Sequence, residues 1–283
     1  MRVDLTSEPG DPRVPNEDFA AVAVPSSGTG GALVLLDGVT PPAEDYGCRH
    51  SVAWFTARLG GALQQLLLAE GRLTLAECLS RAIARTAEAH QDGCDLSHRR
   101  TPQATVVLAR WDEERVDHLV LSDSVLLLES PDGEVRPVLD RRLTGLPERV
   151  RRLRQRVRRA PEGSAEHARL RREYVAAVEG LRNAPVGSGF FTAAADPTVA
   201  RHAVVGDTPR DQVRSLLALT DGAGRWVEVF QLGDWAKLLG LVRQEGTESL
   251  VARVREAERA DPEGREHRRG KPHDDASAVW VTL

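Results

Sequence analysis

Residues 31–38 read GALVLLDG, an apolar run that carries no charge until Asp37 and closes on the pair Asp37-Gly38. A short continuous apolar run bounded by a turn pair is the pattern of a strand buried within a sheet. The arrangement recurs outward along the chain. FAAVAV follows Asp18, VDHLVL precedes Asp123, SLLALT precedes Asp221 and ASAVWV follows Asp274. Strand ends along one edge of a packed sheet bring distant carboxylates together, and clustered carboxylates bind hard divalent cations. Aspartate also closes strands into turns, and Asp-Gly, present at Asp37-Gly38, Asp132-Gly133 and Asp221-Gly222, is the usual hairpin pair. Any one of these sites is read as a turn; only the set points to a metal.

Between the strands the periodicity changes. From about Arg49 to Glu70, Val52, Phe55, Leu59, Leu63, Leu66 and Leu67 recur at three and four residue steps, which predicts an amphipathic helix. A second helix is predicted from Thr74, capped by Thr74 and Glu77 as a capping box, with Leu75, Cys78, Leu79, Ala82 and Ile83 on its buried stripe. The apolar runs TVVLARW, VDHLVLS, SVLLLES and EVRPVL between Thr105 and Val138 predict an antiparallel meander. Further strands are expected near Gly187 to Ala194 and Arg214 to Leu219, a helix capped by Asp234, another from near Thr247, and a last strand over ASAVWVTL. Segregated strands and helix pairs indicate an α+β layered fold.

The 283 residues, 41% hydrophobic, suit one domain spanning residues 1–283, with a charged helical segment inserted at 146–185. Residues 141–159 hold nine arginines and one glutamate, Glu148, a local charge of +8. That stretch reads either as an arm for an acidic partner or phosphorylated substrate, or as a solvated helical hairpin; the absence of interleaved aromatics favours the second. A net charge of −4 gives no global attraction to nucleic acid or an anionic membrane. Of 38 basic residues only Lys237 and Lys271 are lysine. Three cysteines, Cys48, Cys78 and Cys94, predict free thiols in a reducing cytoplasm, and no apolar stretch reaches the roughly 20 residues of a membrane helix. A soluble cytoplasmic protein is expected.

The order of the acidic sites resembles the metal-dependent protein phosphatases of type 2C. Arg13 ahead of Glu17-Asp18 is similar to that family's opening motif, and Leu36-Asp37-Gly38 to its Asp-Gly motif. Ser122-Asp123-Ser124 is similar to its Gly-Asp-Ser, Thr220-Asp221-Gly222 to its Ser-Asp-Gly, and Asp274-Asp275 to its closing acidic pair; TPQATVVLA, residues 101–109, resembles its Gly-Thr-Thr strand. The resemblance implies a four-layer α-β-β-α sandwich of two antiparallel sheets flanked by helix pairs. It implies two Mg²⁺ or Mn²⁺ ions, Asp37 bridging them, Gly38 giving a carbonyl, Asp221 and Asp274 completing one shell, and Glu17 and Asp18 serving the other. Asp123 corresponds to a third, weaker metal, and Arg13 to the group that grips phosphate through its planar fork. Two such ions, about 3.5 to 4 Å apart, neutralise a phosphate ester and activate a water between them.

Departures from the family pattern narrow what it implies. Asp37-Gly38 continues as Val39-Thr40-Pro41-Pro42, without the family's histidine, and His50 is the candidate acid in its place. Val125 stands where an arginine follows Asp-Ser, and Arg225 stands four residues after Asp221 where the family has a second acid. A cation there should weaken the third metal. His90, Cys94 and His98 stand at four-residue steps with Asp92 and Asp95 nearby, but Gly93 predicts a loop and no fourth zinc ligand is evident. His273 is read as a packing residue, and Gly28, Gly30 and Gly31 as a turn between strands rather than a phosphate-binding loop. The expected activity is metal-dependent hydrolysis of phosphoserine or phosphothreonine in a protein. The alternatives are a small-molecule phosphatase and a non-catalytic binding or regulatory module of the same fold.

Overall fold

The structure is a computed structural model that describes residues 1–26, 29–41, 47–69, 71–90, 92–184 and 189–283. Glu70, Gly28, Pro42 and Gly187, named in the expectations above, and position 185, which bounds the inserted segment, lie outside the described residues. Two antiparallel sheets of five strands form the centre. One contains β1 (Arg2–Glu8), β6 (Val125–Glu129), β7 (Val135–Val138), β9 (Ser215–Leu219) and β10 (Ala276–Thr282), in the order β1-β10-β9-β6-β7. The other contains β2 (Phe19–Ala23), β3 (Gly31–Gly38), β4 (Ala104–Trp111), β5 (Arg115–Leu121) and β8 (Val204–Pro209), in the order β2-β3-β4-β5-β8.

The apolar runs lack polar alternation because each inner strand is covered on both faces. In β3, Leu33 and Leu35 pack with Val107 and Val120 against Leu126, Leu216, Val279 and Val281 of the opposite sheet. Ala32, Val34 and Leu36 point the other way, into a core shared with α1 (Val52–Ala69) and α2 (Leu75–His90). The second sheet turns Leu127, Leu217, Leu219, Ala278 and Trp280 toward α5 (Asp221–Glu228), α6 (Trp235–Glu245) and α7 (Thr247–Ala260). The result is the expected α-β-β-α layering. The caps form as predicted: Glu77 and Thr74 exchange hydrogen bonds at the start of α2, and the Asp234 carboxylate accepts from the Lys237 N–H at the start of α6.

Four expectations change. The meander is broken: β5 pairs with β4 and β8, β6 pairs with β7 and β9, and the chain crosses from one sheet to the other at Ser122–Ser124. Residues 189–194 make isolated bridges, Ala104 to Ala193 and Arg182 to Phe190, instead of a strand. β1 and β8 were not expected; both are edge strands whose polar alternation gives only a weak apolar signal. Finally α5 begins directly on Asp221, so this aspartate opens a helix rather than a hairpin. Within residues 146–184, α3 (Glu148–Arg159) and α4 (Ala165–Glu179) pack on one another, with Leu146, Val150, Leu181 and Phe190 forming a small separate core. The arginines of α3 face solvent, as a solvated hairpin requires, and Glu148 pairs with Arg151 and Arg152.

Candidate metal centre

The ends of β2, β3, β5, β9 and β10 converge at one edge of the sandwich. There Asp37 lies close enough to Asp221, Asp18, Asp123 and Asp274 for each to act on its ionisation; burial first, then these four charges, hold the Asp37 carboxyl well above the usual carboxylate range. Burial pushes Asp18 up to about 8, with Asp275 and Asp221 adding to it, and pushes Asp221 up to about 7 with Asp274 and Asp123. Burial likewise raises Asp123 and Glu17. Such a set cannot ionise fully without cations, which is the condition a divalent metal meets.

Local structure fixes several of these carboxylates. Asp18 accepts through Oδ2 from Ser277 Oγ at 2.7 Å and Thr220 Oγ1 at 3.1 Å, while its Oδ1 is buried with no hydrogen-bond partner. An orphaned carboxylate oxygen facing other carboxylates is a donor to a cation that the described residues do not supply. Gly38 packs so closely that an added Cβ would stand 2.5 Å from Val52 Cγ1 and 2.6 Å from the Glu17 carbonyl oxygen. Asp275, next to Asp274, accepts from the Gly10 N–H at 2.7 Å and the Glu17 N–H at 2.6 Å, holding the opening motif against the closing one. An added Cβ at Gly222 would run into the Asp275 carbonyl oxygen, so the start of α5 depends on glycine. Ser122 takes φ +73°, a left-handed conformation that costs a residue with a side chain, and its N–H donates to Asp140 Oδ2 at 3.0 Å. This oxygen-only donor set fits Mg²⁺ or Mn²⁺.

Two basic residues enter the cluster. Arg225 donates through Nη2 to Asp274 Oδ2 at 2.8 Å and through Nη1 to Glu258 Oε1 at 2.6 Å, with its side chain 6% exposed and that of Glu258 fully buried. Lys271 Nζ donates to Asp274 Oδ1 at 2.8 Å and to Thr40 Oγ1 at 2.9 Å. Thr40 Oγ1 donates in turn to Glu17 Oε2 at 2.5 Å. Burial alone would lower the Lys271 ammonium, yet Asp274, Asp37 and Asp221 raise it above its usual value.

A cleft of about 650 Å³ opens from the carboxylates, walled by Lys271, Arg182, Arg141 and Arg154 on its basic side, by Tyr174 and Val178 from the inserted segment, and by Phe190. Arg182 Nε is buried without a partner among the described residues. The sequence-predicted residues divide accordingly. Asp18, Asp37, Asp123, Asp221 and Asp274 come together, with Glu17 and Gly38 beside them. Arg13 does not join them: its guanidinium is paired with Asp11 at 2.7 and 2.9 Å, its side chain is 87% exposed, and it does not line the cleft. His50 is also outside the cleft and sits among Cys48, His90 and Cys94. His273 Nδ1 donates to Glu258 Oε2 at 2.8 Å, so it belongs to the Arg225 charge network rather than to a packed core. Lys271, Thr40, Arg182 and Glu228, which line the cleft, were given no site role from the sequence, and Asp275 was read only as part of the closing acidic pair. Among the described residues no helix is long and apolar enough to cross a membrane.

No family model and no curated protein matches the sequence. Its structure nonetheless resembles solved structures over its whole length. Serine/threonine phosphatase Stp1 from Staphylococcus aureus matches with TM-score 0.58 and 13% identity, over 100% of this chain and 95% of that one. The serine/threonine phosphatase of S. agalactiae matches with TM-score 0.56 and 12% identity, over 100% and 99%. PppA, a key regulatory component of T6SS in Pseudomonas aeruginosa, matches with TM-score 0.53 and 15% identity, over 99% and 96%. The chain has the fold of bacterial serine/threonine phosphatases of type 2C.

Proposed function

We propose that the protein is a phosphomonoester hydrolase that uses two Mg²⁺ or Mn²⁺ ions and acts on phosphoserine or phosphothreonine in proteins. The buried convergence of Asp18, Asp37, Asp221 and Asp274, with an orphaned oxygen on Asp18, carries this reading. Asp37, the Gly38 carbonyl, Asp221 and Asp274 would hold one ion and Glu17, Asp18 and Asp37 the other, with Asp123 toward a third. Bound there, the ions neutralise phosphate charge and supply an activated water. Lys271 and Arg182, at the cleft wall, bind the phosphate oxygens in place of Arg13; Arg182 brings an unpaired N–H and a planar fork. The apolar surface of Tyr174 and Val178 extends from this point along a second groove of about 810 Å³, which suits the flanking residues of a peptide.

Turnover of a phosphothreonine peptide should require Mg²⁺ or Mn²⁺ and disappear in Asp37→Asn and Asp221→Asn. Full activity in both variants would sink the proposal. A second reading, a binding module without turnover, rests on one observation: both oxygens of Asp274 already face side-chain cations, Arg225 and Lys271. Calorimetry decides between them, since the module predicts no heat of Mn²⁺ binding at the carboxylates and the hydrolase predicts binding at millimolar concentration or tighter.

A further inference from the structure

Away from the carboxylate cleft, two loops bring four soft or borderline ligands together. Cys48 and His50 precede α1; His90 ends α2 and Cys94 follows it by one turn of loop. One ligand atom from each of the four lies within 4.8 Å of the others. Cys48 Sγ is 3.3 Å from Cys94 Sγ, 3.6 Å from His90 Nδ1 and 3.7 Å from His50 Nδ1, and Cys94 Sγ is 3.5 Å from His50 Nδ1. A tetrahedral zinc ion, with Zn–S about 2.3 Å and Zn–N about 2.0 Å, spaces its ligands at roughly 3.3 to 3.8 Å. The three sulfur–nitrogen distances match the S···N edge of about 3.5 Å, and the Sγ–Sγ distance of 3.3 Å is shorter than the S···S edge of about 3.75 Å, so the two thiolates would part slightly around an ion.

The surroundings point the same way. His90 is 2% exposed and turns its Nδ1 to the cluster. Cys48 Sγ also accepts the His50 backbone N–H at 3.4 Å, which fixes the position of the sulfur. The loops are joined beside the cluster by the Asp95 N–H donating to the Gly47 carbonyl at 2.6 Å. Gly93, at φ +85°, lets the chain turn back after α2 so that Cys94 faces His90. The His50 ring stacks on Trp54 at 4.0 Å, which fixes its plane. A disulfide between Cys48 and Cys94 would leave two imidazole nitrogens converging on uncharged sulfur.

We propose that Cys48, His50, His90 and Cys94 form a closed four-ligand site for a structural zinc ion. Two thiolates and two imidazoles select zinc over the magnesium or manganese of the carboxylate centre, and four protein ligands leave no open position for chemistry. The ion joins the loop that leaves β3 and the cleft to the C-terminal end of α2. It also gives His50 a ligand role in place of the acid role, and supplies from Cys48 and His50 the ligands that the His90, Cys94 and His98 spacing lacked.

The test uses the reduced full-length protein with Asp37→Asn and Asp221→Asn, so that its outcome is independent of the phosphatase reading. After resident metal is stripped with a chelator and the chelator removed, titration with Co²⁺ should give thiolate-to-cobalt charge transfer and tetrahedral d–d bands that saturate at one equivalent, and added Zn²⁺ should bleach them. Cys48→Ser and Cys94→Ser should each lose most of the charge-transfer intensity, and His90→Gln should distort the d–d bands. Because these variants can fail to fold, zinc content of the parent after gel filtration is measured as well, with about one zinc per chain expected, and Cys48 and Cys94 should resist thiol reagents until a strong chelator is added. Absence of cobalt–thiolate absorption in the parent, or a Cys48–Cys94 disulfide mapped in protein kept under reductant, overturns the proposal.

Discussion

Divalent cations should stabilise this protein more strongly as the pH rises, on a scale that the carboxylate cluster sets. Without cations the folded chain holds protons at the cluster, since Asp18 is pushed up to about 8 and Asp221 to about 7 from the ordinary 3.8. The unfolded chain releases those protons near the ordinary value. Between 3.8 and about 8 the native state therefore binds more protons than the unfolded one, and stability falls as the pH rises through that window. For one carboxylate displaced as far as Asp18 the loss is on the order of 5 kcal/mol, comparable with the whole stability of many domains. Bound Mg²⁺ replaces the protons and removes the penalty, so its stabilising effect should be small in acid and reach several kcal/mol near neutrality and above.

Urea unfolding in a series of buffers across this window, with and without millimolar Mg²⁺, measures the effect. Magnesium is the right probe because it favours oxygen ligands and leaves the cysteine and histidine cluster alone. The expected result is a steep fall in stability with pH in the metal-free series and a nearly flat series with Mg²⁺. Asp18→Asn should make the metal-free fall shallower without abolishing it, because Asp37 and Asp221 still hold protons in the folded chain. Parallel slopes with and without Mg²⁺ would refute the reasoning, because they would mean that cations do not compete with protons at these carboxylates.

Other substitutions probe separate parts of the site. Ser122→Gly removes the cost of a left-handed serine and keeps the N–H donated to Asp140, so the unfolding free energy should rise by about 1 kcal/mol; a fall would show that the Ser122 hydroxyl bond to Asp123 outweighs the backbone. Arg225→Leu leaves Glu258 buried with only Arg255 and His273 as partners and should cost about 3 to 5 kcal/mol in urea unfolding. Lys271→Ala removes a charged donor worth about 1.5 to 3 kcal/mol, so kcat/KM on a phosphopeptide should fall about 10- to 100-fold, while Arg13→Ala, outside the cleft, should leave it within a factor of about 2. Equal losses in the two would return the phosphate-gripping role to Arg13.

The layers were legible because their signals are local. Runs such as GALVLL and SLLALT are apolar throughout because both faces are covered. β1 and β8 pack on one face only, so their sequences resemble loops. The crossing between sheets at Ser122–Ser124 escaped for a different reason. A hairpin and a sheet change both need a short polar break between apolar runs, and only pairing partners far along the chain, β8 and β9, distinguish them.

The site was legible to the extent that its residues are bound to strand ends. The five aspartates could be found because the strands carry them to one edge, whatever the loops between them do. Residues that act through loops left little trace: Cys48 and His90 are 42 positions apart and meet only because α1 and α2 pair. Lys271 left a compositional trace. In a chain with 36 arginines among its 38 basic residues, a lysine three positions before Asp274 is an exception to the bias. The contacts supply a reason, since a compact ammonium reaches Asp274 and Thr40 together where a guanidinium fork would need more room. Arg225 follows the same logic in reverse. Read alone it is a cation where the family has an acid, but it is held by buried Glu258, which Arg255 and His273 also contact. The departure at position 225 is thus one part of a charge network that spans α5, α7 and the segment before β10, and restoring an acid at 225 alone would set it against Glu258.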